Sequence, residues 1–246
     1  MKTPELSIII ITLNEEDRLP LLLGDLAAQS WSAFEVIHVD SKSDDATVAL
    51  SKEMATQFDS YQIIQMDARG VSLGRNIGAA AAQSERLLFL DADTRLGPDF
   101  LSNAMAELED KTCDLGIVLM STEGIPLRYR LGYAAFNAGI RLTSHFFPTA
   151  IGACLFSTRR LHQAIGGFDE TISLCEDCNY ALKSHRHDKG SLAVLNARFM
   201  FDPRRLEQDG FISTGLVYLR ANFHRLFVGE LHKQEIQYAF GHYVKG

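Results

Sequence analysis

The run Leu6-Ser-Ile-Ile-Ile-Ile-Thr-Leu13 limits what this chain can fold into more than any other segment. It has strand length, and no polar residue alternates with its apolar ones. Such a run suits a strand buried on both faces, as in a sheet covered by helices on either side. Leu19, Leu22, Leu23 and Leu26 then recur at helical spacing. "FEVIHV" reads as a second strand, and "SKSDDAT" as a turn that caps a helix from Ala46 to Gln57. "YQIIQM" reads as a third strand, followed by an Ala-rich helix from Ser72 to Gln83. "RLLFL" reads as a fourth strand, followed by a helix from Pro98 to Glu109 with Pro98 in its first turn. The alternation predicts an α/β fold: a parallel sheet, right-handed crossovers, and ligands at the carboxyl ends of the strands. The polar clusters fall at those ends: Asn14-Glu15, Asp40-Ser41, Asp67 to Gly70, and Asp91 with Asp93.

After Asp114 the rhythm changes. "LGIVLM" and "IGACLFST" look like strands, and Leu127 to Phe147 is a long, partly amphipathic stretch carrying Arg128, Arg130, Arg141 and His145. "EDCNYALKSH" reads as a helix opened by acids and "LAVLNARFMF" as a late strand. Two further helices are expected at Phe211–Phe227 and Glu230–Tyr243. With no internal repeat or linker, a single domain over residues 1–246 is expected, and a chain of this length can bury a full core.

The net charge of −7 argues against a general nucleic-acid surface. "SIIIIT" is too short for the apolar region of a secretory signal, and acids follow it at once. No apolar run reaches the ~18 residues that a spanning helix needs. The expected site of action is therefore the cytoplasm or the periphery of a membrane, and Cys113, Cys154, Cys175 and Cys178 are expected as reduced thiols.

The chemistry is densest at "LLFLDADTRL", where a buried strand ends on Asp91-Ala92-Asp93. Two like charges so close repel, and two carboxylates at a strand's end suit a hard cation. Mg²⁺ or Mn²⁺ takes one or two protein carboxylates and completes its shell with water and substrate phosphates. Taken alone, the short tripeptide reads more readily as a solvated turn that caps the next helix, and the buried strand before it and the polar clusters beside it favour the cation.

Five segments in order, "SIIIITLNEEDRL", "HVDSKSDDAT", "ARGVSLGRNIGAA", "LLFLDADTRLGPDF" and "GGFDETISLCEDCNYALK", resemble the family 2 glycosyltransferases, from Leu6 to about Lys183. The resemblance implies a GT-A fold: one domain with a Rossmann-like, mostly parallel sheet flanked by helices, and C-terminal helices. It implies a nucleotide-binding half to about residue 110, an acceptor and catalytic half over about 111–200, and a helical tail over about 205–246. The implied activity is transfer of a sugar from a nucleotide-diphosphate donor to an acceptor hydroxyl. Ile11, Leu13 and Glu15 match the loop against the nucleoside, and Asp40 matches the base-reading acid, although the family's Asp-Asp is Asp40-Ser41 here. Arg75 matches a basic residue that meets the base edge or the diphosphate; its bland reading is a surface Arg paired with an acid such as Glu85. Asp91, Ala92 and Asp93 match the family's Asp-X-Asp, with Asp93 on the metal, and Asp91 on the ribose or on the metal through water. Arg95 is expected to pair with Asp99. Asp177 matches the general base of inverting members, at a helix N-terminus that favours a carboxylate.

Cys175 and Cys178 form a C-x-x-C around those acids, but no second C-x-x-C completes a zinc site, so they read as packing. "HRHD" (185–188) reads as a solvated helix end or as a third ligand for the catalytic metal. Leu127–Phe147 and the tail mix basic and aromatic residues, the composition of an interfacial helix, an acceptor cleft or a dimer contact. The acceptor, soluble or lipid-linked, is left open. The competing functions are a nucleotidyltransferase and a noncatalytic nucleotide-sugar binder. The first needs a Gly-rich phosphate loop after the first strand, where "TLNEEDRL" stands; the second would lack the acids present here.

Overall fold

The computed structural model describes residues 3–172, 174–189, 192–201, 220–225 and 227–232. Strand β1 (Leu6–Thr12) is buried at every position, as its unbroken apolar run requires. It pairs in parallel with β2 (Phe34–Asp40) on one side and β4 (Arg86–Asp91) on the other, and β2 pairs in parallel with β3 (Tyr61–Gln65). Helix α1 (Leu19–Ala27) opens with a Pro in its first turn and buries Leu19, Leu22, Leu23 and Leu26. Helix α2 (Thr47–Met54) follows a turn in which Asp45 Oδ1 accepts from the Thr47 N–H. Helix α3 (Val71–Ala81) lies so close to β1 that a Cβ on Gly78 would come within 2.3 Å of Ile9 Cγ2. Glycine is required there for the helix to reach the sheet.

The second half departs from the parallel expectation. After β5 (Thr94–Arg95) and α4 (Phe100–Lys111) come β6 (Leu115–Met120), α5 (Leu127–Thr143), β7 (Cys154–Thr158), α6 (Arg159–Ala164), α7 (Glu176–His187) and β8 (Leu192–Phe201). The strand order is β3-β2-β1-β4-β7-β6-β8-β5. β7 enters between β4 and β6 antiparallel to both, β8 pairs in parallel with β6, and β5 pairs antiparallel with β8. The sheet is therefore mixed, because an apolar run specifies burial and not direction. Helix α4 begins at Phe100, so Pro98 precedes it rather than opening it. The expected tail helices lie largely outside the described residues, of which 220–225 and 227 are helical. The core occupies both faces of the sheet. One cluster joins Leu22, Leu88 and Phe156, and the other joins Ile9, Phe89 and Tyr180.

Candidate active site

The carboxyl ends of β1, β2 and β4 lie side by side, with Ile11 level with Val39 and Asp91. Asp40 ends β2 fully buried. Its oxygens accept from Thr12 Oγ1 at 2.9 Å, from the Ser43 N–H at 3.0 Å and from the Ser43 hydroxyl. Asp40 thus ties β1 to the loop after β2. Because Thr12 donates to Asp40, it accepts from His38 Nε2–H at 2.8 Å, and His38 Nδ1 accepts from Ser51 Oγ at 2.7 Å. Ser51 Oγ lies 2.8 Å from Tyr61 Oη. Burial, opposed by the Asp40 charge, pushes His38 down to about 4, so it packs as a neutral ring. Ser41, at the family's second acid, is also buried. The loop's rim faces an open cleft of about 610 Å³ lined by Lys42, Ser43, Asp44, Asp67 and Arg69.

Glu15 is placed by its N–H bond to Thr47 Oγ1 at 2.8 Å and by a 3.0 Å ion pair with Arg18. Ile11 packs in the core beside Val39, and Leu13 is partly buried in the same loop. Ala92 is buried in the core. Asp93 is partly buried at the turn between β4 and β5. Arg95 pairs with Asp25 through two bonds of 2.6 and 2.8 Å, and not with Asp99. The partner comes from α1, which β5 reaches directly, whereas Asp99 lies beyond the Gly97-Pro98 turn.

Arg75 joins the two acid clusters. It is 1% exposed, so it is no surface arginine. Nη2 bonds Asp91 Oδ1 at 2.9 Å, Nη1 bonds Glu176 Oε1 at 2.8 Å, and Nη2 also donates to the Gly152 carbonyl at 3.2 Å. The guanidinium lies 5.1 Å from the centre of the Phe168 ring. Burial works against its charge, but Asp91, Glu176 and Asp177 outweigh burial and raise its pKa above the usual value. Glu176 is pushed up by burial and by the Asp177 charge, against the pull of Arg75. Asp177 Oδ2 accepts from the Gly152 N–H at 2.6 Å, and Oδ1 from the Cys178 N–H at 2.7 Å. Cys175, just before these acids, holds a left-handed φ of 63°, a strained turn that aims the start of α7.

Gly152 escaped the sequence reading. It touches both Arg75 and Asp177, and a Cβ there would come within 2.7 Å of Arg75 Nη2. The only signal was a glycine at the start of an otherwise strand-like run. Asn76 fastens the same region, accepting from the Phe168 N–H and donating to the Phe168 carbonyl and Glu170.

Asp91 gives one oxygen to Arg75; its other, Oδ2, has no hydrogen-bond partner among the described residues, and the side chain is 33% exposed. No set of three or more His, Cys, Asp and Glu able to hold an ion occurs among the described residues. Two neighbouring carboxylates, Asp91 and Asp93, are of the kind that would suit Mg²⁺ or Mn²⁺ sharing its shell with water and phosphate. His185 lies two turns along α7 from Asp177 and lines a basic cavity with Lys111, Arg141, His145 and Lys189. Cys175 and Cys178 pack with Leu174, Ala221 and Leu231. The Cys178 thiol is pushed well up by its hydrogen bond with Cys175 and by burial, which suits inert packing rather than metal thiolate.

A sheet strand that ends on Asp91, bridged by Arg75 to the acids opening α7, has the layout that the sequence resemblance implied for a GT-A transferase. The chain belongs to the glycosyl transferase family 2, whose model matches residues 7–157. It is 27% identical over 222 residues to the 4,4'-diaponeurosporenoate glycosyltransferase of Staphylococcus haemolyticus, covering 86% of this chain and 56% of that protein. It is 29% identical over 112 residues to the putative glycosyltransferase EpsH of Bacillus subtilis, covering 46% of this chain and 33% of that one. The chain thus spans about a third to a little over half the length of these relatives. Among solved structures it resembles S. aureus TarS 1–349, with a TM-score of 0.66 at 19% identity over 91% of this chain and 72% of that one. It also resembles the mannosyltransferase PcManGT from Pyrobaculum calidifontis in complex with GDP-Man and Mn²⁺, with a TM-score of 0.65 at 21% identity over 80% of this chain and 56% of that one. At these identities the structural likeness establishes the fold.

Proposed function

We propose that this protein transfers a sugar from a nucleoside-diphosphate donor to an acceptor hydroxyl with inversion, assisted by Mg²⁺ or Mn²⁺. The observation that carries the reading is Arg75, which binds Asp91 at the end of β4 and Glu176 at the start of α7. Asp-X-Asp and the acid pair are thereby parts of one centre. Solved relatives bound to UDP-GlcNAc and to GDP-Man with Mn²⁺ support donors and a cation of this class.

In this reading the nucleoside lies across the β1 and β2 ends, against Ile11, Leu13 and Glu15, and over the cleft rim that Asp40 holds in place. Asp91 and Asp93 would hold the cation, which would offset charge on the departing diphosphate. Asp177 takes the proton of the acceptor hydroxyl as its oxygen attacks the anomeric carbon from the face opposite the diphosphate. The bond from that carbon to the phosphate oxygen breaks, and the nucleoside diphosphate leaves with the electron pair. The Gly152 N–H aims Asp177, and Arg75 holds Glu176 and Asp91 at a fixed separation. Arg75 thus positions the two acids from within rather than touching the donor.

The test is nucleotide binding. Nucleoside diphosphates should raise the melting temperature more with Mn²⁺ than without it. Asp93→Ala should remove the Mn²⁺-dependent part and abolish transfer while leaving the fold intact. Unchanged Mn²⁺-dependent affinity in Asp93→Ala would sink the metal assignment. Release of pyrophosphate instead of a nucleoside diphosphate would make the protein a nucleotidyltransferase.

A further inference from the structure

Helix α5 has two faces of unlike partnership. Tyr129, Tyr133 and Ile140 are buried against the protein. On the opposite face Leu127, Leu131 and Leu142 are 71, 69 and 75% exposed, with the exposed Ala134 and Ala138 between them. At 100° per residue these five side chains fall within one narrow stripe. Phe146, just past the helix, is 64% exposed. Arg225 stacks on Phe147 and so brings the segment of exposed Phe223 and Phe227 to this end of α5.

The charges along α5 itself are of one sign. Arg130 and Arg141 are exposed on its flank. At the end of α5 a cavity of about 560 Å³ is lined by Lys111, Arg141, His145, His185 and Lys189, with no acid in its wall. The last turns of α4, α5 and α7 meet there, and their C-terminal dipoles balance part of this charge. Glu107 balances Lys111 from 3.4 Å. Arg141 and Lys189 are left over, in a protein whose net charge is −7.

We infer that the outer face of α5 docks on an anionic membrane, with the Leu127–Phe146 stripe in the interface and a lipid phosphate in the basic cavity at its end. The observation that decides between occupants is the sign of the charge. A second copy of this chain packing α5 on α5 would set Arg130 and Arg141 against a helix that carries no acid, whereas an anionic lipid surface attracts them. The apolar stripe with its basic flank has the makeup of a helix lying in the plane of the interface. No helix among the described residues is long and apolar enough to cross a membrane, so attachment by this face is peripheral. The inference is independent of the transfer reaction.

The experiment is co-sedimentation of the purified full chain with phosphatidylcholine vesicles, with and without phosphatidylglycerol, at low and high salt. Binding is expected to the anionic vesicles and to fall with salt. The variant Leu131→Gln with Leu142→Gln should abolish it. Arg141→Gln and Lys189→Gln should each weaken it about fivefold, the effect of one surface cation. All these residues lie outside the proposed transfer centre, so nucleotide binding should be unchanged in every variant and serves as the check on folding. Inorganic phosphate at matched ionic strength should compete better than chloride, because it can occupy the basic cavity; competition no better than chloride would mean that no lipid phosphate sits there. No binding to anionic vesicles at low salt would overturn the inference. So would a dimer in sedimentation velocity that Leu131→Gln with Leu142→Gln dissociates, since α5 would then be a subunit contact.

Discussion

The first half of this protein is built by one rule and the second by several. Strands β1 to β4 pair with one another in parallel, and β1, β2 and β4 end on Thr12, Asp40 and Asp91. Beyond β4 the sheet turns mixed, and the acids arrive from a helix start, Glu176 and Asp177, behind a left-handed cysteine. The parallel half makes a platform whose polar ends are set by topology. The mixed half needs individual contacts to bring its acids to that platform. Arg75 makes one of these, since it stands on α3 of the first half and binds Glu176 101 residues further on.

The largest expected effect comes from cutting that contact. Arg75→Met leaves Asp91 and Glu176 facing each other without their cation. Breaking a buried pair by removing one partner costs about 3–5 kcal/mol. Urea denaturation should show a loss of that size, and Arg75→Lys should recover only part of it, because one ammonium cannot reproduce a forked pair. A loss under ~1 kcal/mol, the usual value of an exposed ion pair, would mean the halves hold together without it.

The pH dependence sharpens the comparison, since each half buries one neutral histidine. His38 in the first half is pushed down to about 4 by burial, and His162 in the second also to about 4, by burial and then by Lys183. In the unfolded chain both titrate near 6.5. Their native pKa values are depressed, so the unfolded state takes up protons first as pH falls. Stability is therefore full above about 6.5 and is lost between about 6.5 and 4, by on the order of 3 kcal/mol for each ring. Stability curves of His38→Asn and His162→Asn should each lose about half of the wild-type slope in this window. A slope untouched by both variants would mean other groups carry it.

A smaller effect is expected at Gly78, where α3 meets β1. Gly78→Ala sets a methyl against Ile9 and should destabilise by about 1–3 kcal/mol, as overpacking does. Because α3 also carries Arg75, nucleotide affinity should weaken with it. An alanine tolerated at no cost would show that α3 has room to shift and that the spacing of Arg75 is not set by this contact.

Much of this was legible in the sequence. The apolar run at Leu6–Thr12 and the leucines of α1 have the stated burial because strand and helix periods are local properties. The nearness of Asp91 to the acids at Glu176 and Asp177 was legible through the order of five motifs. The antiparallel entry of β7 was not, because "IGACLFST" would look the same in either direction. The pairing of Arg95 with Asp25 and the burial of Arg75 were not legible either. Their partners lie 70, 16 and 101 residues away, and nothing local marks which acid an arginine will meet. Gly152 was hidden for the same reason: its importance is the space it leaves for Arg75.

The central claim is that the two halves form one transfer centre with Asp177 as its base. The direct measurement is turnover and donor affinity of Asp177→Asn, using the donor identified by nucleotide binding. The amide keeps the side chain's shape and one accepting oxygen for the Gly152 N–H, but it cannot take the acceptor's proton. Donor affinity should be unchanged while turnover falls by about 10²-fold or more, the scale of positioned acid–base catalysis. Near-normal turnover in Asp177→Asn would place the base elsewhere and contradict the account.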